Sequence, residues 1–587
     1  MNLLTTITRH YGLCLALTLG LSQSALAGTE AKTGSSGKAA VFSHFVYQGQ
    51  DAVYQQHPLK EGEVYSPILQ GCYPDPSICR KGNDYYLVNS SFAMFPGVPI
   101  FHSTDLRNWE QIGHVLDRES QLKVWDCGIS AGIYAPTIRY CKANDTFYMI
   151  TTEFAGGFGN IVVKTKDPMK GWSDPIKLNF EGIDPSLFFD EDGKAYIVHN
   201  DAPEHPLYEG HRCIKIWDYD LATDKIVPGT DRVIVDGGVD ITKHPIWIEG
   251  PHIYKKDGRY YLMCAEGGTG GNHSEVVFVA DNVKGPYTPA PSNPILTQRD
   301  LRPNRPNKVD WAGHADLVDT PDGQYYAVFL GVRPNEAGRV NTGRETFMLS
   351  VDWSGMFPIF NNGLVPLEPT IKVADIKGVA NQTSDVKGQP MPNGNFTFTD
   401  DFKATTFDMR WVGVRGPVTA FAKSGKGVLS LSPMATNLHE VKPTSTLFYR
   451  QQHRAFTASV TLSSLPKTDK ELQGMTCYQS ENFNYVFGQT MKDGHRVLLL
   501  ARTEKGKCSV VAQTELPKKG AVDLQVTANG DKYQFQYKMS ESKKDQTSTW
   551  QTLGGTVSGD ILSTDVAGGF TGSLIGLYAT TANDIQL

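Results

Sequence analysis

Three carboxylic acids and a histidine occupy matching places in an internal repeat of this sequence. Asp75, Asp184, Glu249 and His314 precede the tyrosine that opens the second half of a predicted hairpin by 11, 12, 12 and 12 positions, respectively. Carboxyl groups that share a site repel one another when ionised, so their pKa values move apart. Such a cluster is unfavourable unless it does chemistry, and it therefore predicts a functional site.

The repeat that carries these residues has five units. Each unit is a predicted hairpin followed by another apolar run, a pattern of about four short strands that is typical of a β-propeller blade. Helical patterns of any length are missing between the units, which argues against an α/β barrel. We therefore predict an all-β protein that begins with a five-bladed propeller. The aligned tyrosines are 62, 48, 65 and 65 residues apart and are Tyr86, Tyr148, Tyr196, Tyr261 and Tyr326.

A propeller would bring the four residues together. The first strand of each blade is the innermost one and lines the central channel, so equivalent positions on these strands converge at one end of the axis. Asp75 and His314 are 239 residues apart in the chain, yet this geometry predicts that they lie in one funnel.

The sequence pattern changes after the repeats. We assign residues 43–369 to the propeller. Residues 370–395 are polar, rich in glycine and proline, and without periodicity, which predicts a linker or a strap. From residue 396 to 587 apolar and polar residues alternate regularly between turn residues, which predicts a β-sandwich domain.

The N-terminus has the features of an export signal. Residues 1–27 contain Arg9, an apolar run over 11–21 and Ala25-Leu-Ala27, a small-residue cleavage pattern ahead of Gly28. The apolar run is too short to span a membrane. We expect a cleaved signal peptide, a disordered lead-in over 28–42, and a secreted or periplasmic protein.

Composition excludes some classes of function. The net charge of −6 and the charged fraction of 20% give no basic footprint for nucleic acid or an anionic membrane, so we expect neither partner. The cysteines lack zinc-site spacing, and the sequence leaves disulfide pairing and oligomeric state open.

Four motifs carry a family resemblance. Tyr73-Pro-Asp75-Pro-Ser, Gly-Ile-Asp184-Pro-Ser, Ile-Glu249-Gly-Pro-His and Gly-Arg344-Glu-Thr resemble glycoside hydrolase family 43, in its β-xylosidase/α-L-arabinofuranosidase branch. The likeness continues into the C-terminal half at Gly569-Phe-Thr-Gly. It implies a five-bladed propeller, a concanavalin-like β-sandwich behind it, and hydrolysis of glycosidic bonds with inversion.

The resemblance implies a role for each carboxylate. Asp75 would be the general base, Glu249 the general acid, and Asp184 the neighbour that raises the pKa of Glu249. An inverting hydrolase places its two carboxyl groups about 6.5–9.5 Å apart, which leaves space for the attacking water. Taken singly, an aspartate before proline is usually a turn former, so the repeat and the motif together carry this assignment.

The resemblance also implies a sugar pocket. Phe92 and Tyr134 would form its walls, Arg344 would hydrogen-bond the sugar in the −1 subsite, and a sandwich loop at Phe570 would close it. His314 would lie beneath the sugar, near a water-coordinated cation, so a structural calcium ion contacted by His314 through water is an added expectation. No cofactor is expected to be required. Without the family resemblance, His314 would be interpreted as a buried histidine that packs at the propeller axis.

The sequence predicts an exo-glycosidase that releases xylose from the non-reducing end of β-1,4-xylo-oligosaccharides. An α-L-arabinofuranosidase acting on arabinoxylan or arabinan side chains is the alternative, because the two pentoses present similar hydroxyl arrangements. A carbohydrate-binding propeller without catalysis is the alternative from another class. The combination of Asp75, Asp184 and Glu249 speaks against it, because a pure binder has no use for a pKa-raising aspartate.

Overall fold

The computed structural model describes residues 38–361, 364–376, 386–540 and 549–586, all within one compact unit that begins at Gly37. The predicted signal peptide, residues 1–27, lies outside the described residues. No helix in the described ranges is long and apolar enough to cross a membrane. The described part is almost entirely β-structure, as predicted. It opens with β1 (Ala40–Gly49), α1 (Ala52–Gln56) and β2 (Glu63–Tyr65).

Five antiparallel sheets of four or five strands follow, because each repeat unit supplies hairpins of alternating or fully apolar strands. The first two sheets are built mainly from the repeats that contain Asp75 and Tyr134. Their strands, together with the short β5, are β3 (Ser77–Lys81), β4 (Asp84–Val88), β5 (Met94–Phe95), β6 (Gly97–Ser103), β7 (Glu110–Leu116), β8 (Gly132–Cys141), β9 (Thr146–Phe154), β10 (Gly159–Thr165) and β11 (Ile176–Lys177).

The next three sheets repeat the same meander of sequential neighbours. Their strands are β12 (Ile183–Phe189), β13 (Ala195–Asp201), β14 (Cys213–Asp220), β15 (Lys225–Ile226), β16 (Arg232–Asp236), β17 (Glu249–Lys256), β18 (Arg259–Glu266), β19 (Ser274–Ala280), β20 (Thr288–Pro289), β21 (Leu296–Thr297), β22 (Asp310–Asp319), β23 (Tyr325–Val332), β24 (Glu345–Asp352) and β25 (Ile359–Phe360).

The first strands of these sheets form a ring. β3 contacts β8, β8 contacts β12, β12 contacts β17, β17 contacts β22, and β22 returns to β3. This is the arrangement of a β-propeller, with the first strands around the axis. The count of five blades stays a prediction, and the ring of five sheets supports it.

Most of the remaining strands build a two-sheet sandwich, whereas β26 pairs with β2, β27 with β7 and β29 with β5. The strands are β26 (Thr370–Lys372), β27 (Gln389–Pro390), β28 (Thr397–Asp400), β29 (Gly413–Val414), β30 (Ala422–Gly425), β31 (Val428–Leu431), β32 (Ser445–Arg450), β33 (Ala455–Leu462), β34 (Leu472–Ser480), β35 (Phe483–Lys492), β36 (His495–Glu504), β37 (Lys507–Glu515), β38 (Val522–Asn529), β39 (Lys532–Met539), β40 (Gln551–Ser558) and β41 (Leu574–Thr580), with α2 (Thr564–Ala567) before β41. One sheet runs β32-β41-β34-β35-β36-β37, and the other runs β30-β31-β1-β33-β38-β39-β40 with β28 on β1.

The six-stranded sheet of the sandwich is buried on both faces except at its edge strand β37. Residues such as Phe487 and Leu500 pack in the sandwich core, whereas their strand neighbours Val486 and Leu499 pack with propeller residues such as Val88. Near-continuous apolar strands are expected where both faces are covered. The propeller and the sandwich therefore share a hydrophobic core.

Two boundaries differ from the sequence-based assignment. β1 lies partly in the predicted lead-in (28–42) and partly in the predicted propeller (43–369), yet it pairs with β28, β31 and β33 of the sandwich. Strand pairing so distant in sequence leaves no local signal. The predicted linker (370–395) contributes β26, which pairs with β2, and β27, which pairs with β7. The rest of its middle, 377–385, lies outside the described residues.

Candidate active site

The four repeated residues meet at one end of the ring of first strands. Asp75 precedes β3, Asp184 lies in β12, Glu249 opens β17 and His314 lies in β22. Nδ1 of His314 is 3.9 Å from Oδ1 of Asp75, and the backbone N–H of Gly250 donates to Oδ2 of Asp184 at 3.2 Å. Each of the four side chains is buried, with 6% or 7% of the residue exposed. The structure thus brings together all four residues that the repeat singles out.

A β-bulge lies beside three of the four residues, Asp184, Glu249 and His314. The pairing register shifts between Ile183 and Ser186, between Glu249 and His252, and between Gly313 and Asp316. A β-bulge bends its strand and re-aims a side chain, and bulges are frequent beside active sites. The spacing of the repeat therefore encodes a bulge as well as a residue type.

The backbone is left-handed at or next to each of the four site residues. φ is 52° at Asp75, 55° at Asp184, 56° at His314 and 55° at Gly250. Positive φ is unfavourable for residues other than glycine, and such strain collects at functional sites. Glycine is also required at 250 because a Cβ there would lie 2.7 Å from Nε2 of His314.

Burial and like charges raise the pKa of Glu249 well above its usual range. Loss of solvation is the largest cause, the carboxylates of Asp184 and Asp75 add to it, and Arg344 opposes it. The pKa of Asp184 is also raised, mainly by burial, while His314 acts in the opposite direction. Glu249 is therefore the carboxyl group that this site favours in its protonated form.

Arg344 binds Asp75 and faces the aromatic wall. Its Nη1 donates to Oδ1 of Asp75 at 2.7 Å, and its Nη2 lies 3.5 Å from the carbonyl oxygen of Phe570. Nε is buried and has no hydrogen-bond partner among the described residues. A buried donor without a partner is rare, and in a pocket it is available to a ligand hydroxyl.

Three aromatic rings enclose the site beside Arg344. The ring of Phe92 stacks on Phe570 at 6.2 Å between centroids, and Tyr134 meets the two rings edge-on at 5.9 and 5.8 Å. The guanidinium of Arg344 lies 5.9 Å from the Phe92 centroid and 5.6 Å from the Phe570 centroid. Phe154, which is 42% exposed, stacks on the other side of Tyr134. The structure places each predicted wall residue at the site.

Ser130 connects the propeller wall to the sandwich loop. The Oγ of Ser130 accepts a hydrogen bond from the backbone N–H of Phe570 at 2.9 Å, and its carbonyl oxygen accepts from the Tyr134 hydroxyl at 3.0 Å. The sandwich thus contributes Phe570 to a site that is otherwise made by the propeller.

Two further residues at the site were missed by the sequence analysis. The Arg212 guanidinium donates twice to Oδ1 of Asn200, at 3.1 and 2.6 Å, and its Cζ lies 5.0 Å from the Trp247 ring. Burial lowers the pKa of Arg212, against the carboxylates of Asp201, Glu249 and Asp184. Arg212 lies in the β13–β14 connection, outside the repeated motif, so spacing carries no signal for it. Trp247 lies two positions before Glu249, and this proximity in the sequence is a signal that could have identified it.

The surroundings of His314 do not fit a calcium ion. Calcium takes about six to eight oxygen ligands, mostly carboxylates, carbonyls and water. Among the described residues no group of three or more His, Cys, Asp or Glu side chains is arranged to hold a metal ion. The nearby Oδ1 of Asp75 is engaged by Arg344, and the ring of His314 lies against Gly250.

Comparison with known proteins decides the family. The model of "Glycosyl hydrolases family 43" matches residues 64–357, and that of "Beta xylosidase C-terminal Concanavalin A-like domain" matches residues 399–586. This chain belongs to glycosyl hydrolases family 43. It is a glycoside hydrolase with a propeller and a C-terminal concanavalin-like domain, and its similarity to family members supports exo-glycosidase activity.

Several relatives match over most of their length. A xylosidase/arabinosidase of Butyrivibrio fibrisolvens is 37% identical over 88% of this chain and 95% of its own. The non-reducing end alpha-L-arabinofuranosidase BoGH43B of Bacteroides ovatus is 34% identical over 89% of this chain and 92% of its own. Among solved structures, a GH43_12 protein from a capybara gut metagenome is 58% identical, with a TM-score of 0.86 over 92% of this chain and 99% of that one.

Replacing Ser130 by alanine tests the contribution of the sandwich loop. Loss of the Phe570 hydrogen bond removes about 0.5–1.5 kcal/mol from the closed loop. We expect KM for glycoside hydrolysis to rise severalfold with little change in kcat, measured by steady-state kinetics. Ser120→Ala is the matched control, because Ser120 is exposed and its hydroxyl bonds Asp174 away from the site. Unchanged KM in Ser130→Ala would contradict a role for the loop in binding.

Proposed function

We propose that this protein is an exported, inverting exo-glycosidase that releases xylose from the non-reducing end of β-1,4-xylo-oligosaccharides. The observation that carries the proposal is the placement of Asp75, Asp184 and Glu249 in one buried site, where burial and like charge raise the pKa of Glu249. Relatives described as xylosidase/arabinosidase and beta-xylosidase support the substrate class. We also propose that residues 1–27 form a cleaved signal peptide.

The three carboxyl groups divide the reaction between them. Glu249 gives its proton to the glycosidic oxygen as the bond from that oxygen to the anomeric carbon breaks. Asp75 takes a proton from the water that attacks the anomeric carbon from the opposite face. The carboxylate of Asp184 keeps Glu249 protonated near neutral pH, because ionising both would place two buried negative charges side by side.

The neighbours of the carboxylates hold the sugar and the base. Arg344 binds Oδ1 of Asp75 and keeps Nε free among the described residues for a sugar hydroxyl. The hydrogen bond from Arg344 fixes the orientation of the Asp75 carboxylate, which a general base needs. Phe92, Tyr134 and Phe570 enclose the site and exclude bulk water, and a pocket closed in this way accepts the end of a chain.

Removal of arabinose is the second candidate function. BoGH43B, a non-reducing end alpha-L-arabinofuranosidase, is similar over 89% of this chain. The same carboxylates would serve arabinoxylan or arabinan side chains, and the wall at Tyr134 and Phe154 would then set the preferred sugar. A binding propeller without catalysis is disfavoured, because a ligand-binding site gains nothing from a glutamic acid held in its protonated form.

Hydrolysis of two aryl glycosides tests the function directly. We expect release of p-nitrophenol from the β-D-xylopyranoside to exceed release from the α-L-arabinofuranoside. Glu249→Gln should lower kcat on either substrate by about 100-fold or more, because the amide cannot give a proton. The control Glu266→Gln changes a half-buried carboxyl group in the next strand of the same sheet. Preference for the arabinoside would favour the second candidate, and activity on neither would contradict both.

Asp184→Asn tests how Glu249 stays protonated. Removing the negative charge lowers the pKa of Glu249, so the acid loses its proton at lower pH. The basic limb of the kcat/KM profile should move down by roughly one pH unit. Asp190→Asn is the matched control at the far end of β12, where the carboxylate pairs with Lys255. A basic limb that stays in place in Asp184→Asn would contradict the assigned role.

A further inference from the structure

A second polar layer lies one step along the first strands from the carboxylates. Ser77 follows Asp75 by two positions, Ser186 follows Asp184 by two, and Asp316 follows His314 by two. These three side chains are almost completely buried, at 2%, 1% and 0% exposed. Polar side chains this deep need partners, so their contacts define what the layer does.

The centre of this layer is an ion pair between Arg139 of β8 and Asp316 of β22. Nη1 of Arg139 donates to Oδ2 of Asp316 at 2.7 Å, and Nη2 donates to Oδ1 at 2.9 Å. Two parallel hydrogen bonds fix both the distance and the orientation of the two groups. Arg139 holds the pKa of Asp316 well below its usual range, against the effect of burial.

All five first strands contribute to the layer around this pair. Ser77 of β3 donates to Oδ2 of Asp316 at 2.6 Å, and Tyr254 of β17 donates to Oδ1 at 2.6 Å. Nη2 of Arg139 lies 3.0 Å from Nδ1 of His252 in β17, which is 2.9 Å from the hydroxyl of Ser186 in β12. Burial lowers the pKa of His252 to about 3. Because a guanidinium can only donate, Nδ1 of His252 is the acceptor of the bond from Arg139.

We propose that the Arg139–Asp316 ion pair takes the structural place of a metal ion on the propeller axis and positions the catalytic layer. A bound cation ties several strands together by collecting oxygen ligands. Here the guanidinium of Arg139 and the carboxylate of Asp316 join β8 and β22 and bind groups of β3 and β17, and Ser186 of β12 joins the network through His252. Arg139 and Asp316 are positioning residues, because they act on the reaction through Asp75, Asp184 and His314.

The left-handed backbone at the site residues makes this positioning necessary. Asp75, Asp184 and His314 have positive φ, so their segments are held in a strained form by what surrounds them. The hydrogen bonds of Ser77, Ser186 and Asp316, two residues further along these strands, fix the position of each strained segment along the propeller axis. A buried ion pair adds little net stability, so we assign this one to geometry and not to stability.

Metal content and thermal stability test the first half of the proposal. We expect the purified protein to contain no stoichiometric divalent metal by elemental mass spectrometry. Its melting temperature should be the same in EDTA and in added CaCl2. These readouts are independent of activity, whereas the kinetic test below rests on the proposed function. A bound metal, or a melting temperature that falls in EDTA and recovers with calcium, would overturn the proposal.

Arg139→Lys tests the positioning role, because lysine keeps the positive charge but cannot make the two parallel hydrogen bonds of the guanidinium. The matched control is Arg410→Lys, which breaks a similar two-bond contact with Asp408 away from the axis. We expect both variants to fold and to melt at lower temperature. Arg139→Lys alone should lose about tenfold or more in kcat with a smaller change in KM. Asp316→Asn, which keeps the shape, should lose kcat in the same way.

A kcat in Arg139→Lys and Asp316→Asn within about twofold of the wild type would overturn the positioning role. Equal losses of kcat in the Arg410→Lys control would do the same, since they would reflect general destabilisation. Absence of hydrolysis by the wild-type protein itself would instead contradict the proposed function, and the metal and melting measurements would still decide the role of the ion pair.

Discussion

The rest of the site depends on one constraint, which is the burial of three carboxyl groups in a small space. Asp75, Asp184 and Glu249 are each at most 7% exposed. Water cannot screen their repulsion there, so protonation relieves it, and the pKa of Glu249 rises. The fold supplies Arg344 to Asp75, while His314 opposes the rise at Asp184. The site therefore favours the protonated form of Glu249 most strongly.

The propeller holds this arrangement because it repeats one structural device. The first strands β12, β17 and β22 each have a bulge beside their site residue, and the polar layer that follows ties the first strands together around Arg139. The sandwich covers one side of the propeller through a shared core and sends Phe570 into the wall. Domain packing is therefore part of the pocket, as the bond from the Phe570 backbone to Ser130 illustrates.

Much of the site could be predicted because repeats turn sequence spacing into spatial position. Asp75 and His314 were placed together on that basis, and the family motif added Arg344 and Phe570. Arg212 could not be found, because it lies in a connection between strands that the repeat does not describe. The pairing of β1 with the sandwich was also out of reach, since an alternating strand does not specify its partner. The ion pair joins Arg139 of β8 to Asp316 of β22, which are not neighbours in the ring, so the sequence gives no signal for it.

The anomeric form of the first sugar released is the most direct test of the account. If Asp75 activates water while Glu249 protonates the leaving oxygen, the bond is replaced in one step from the opposite face. Proton NMR recorded during the first minutes of xylobiose hydrolysis should then show α-xylose from the β-linked substrate, followed by mutarotation. Initial release of β-xylose would mean a retained configuration and a covalent intermediate, and it would contradict the roles given to Asp75 and Glu249.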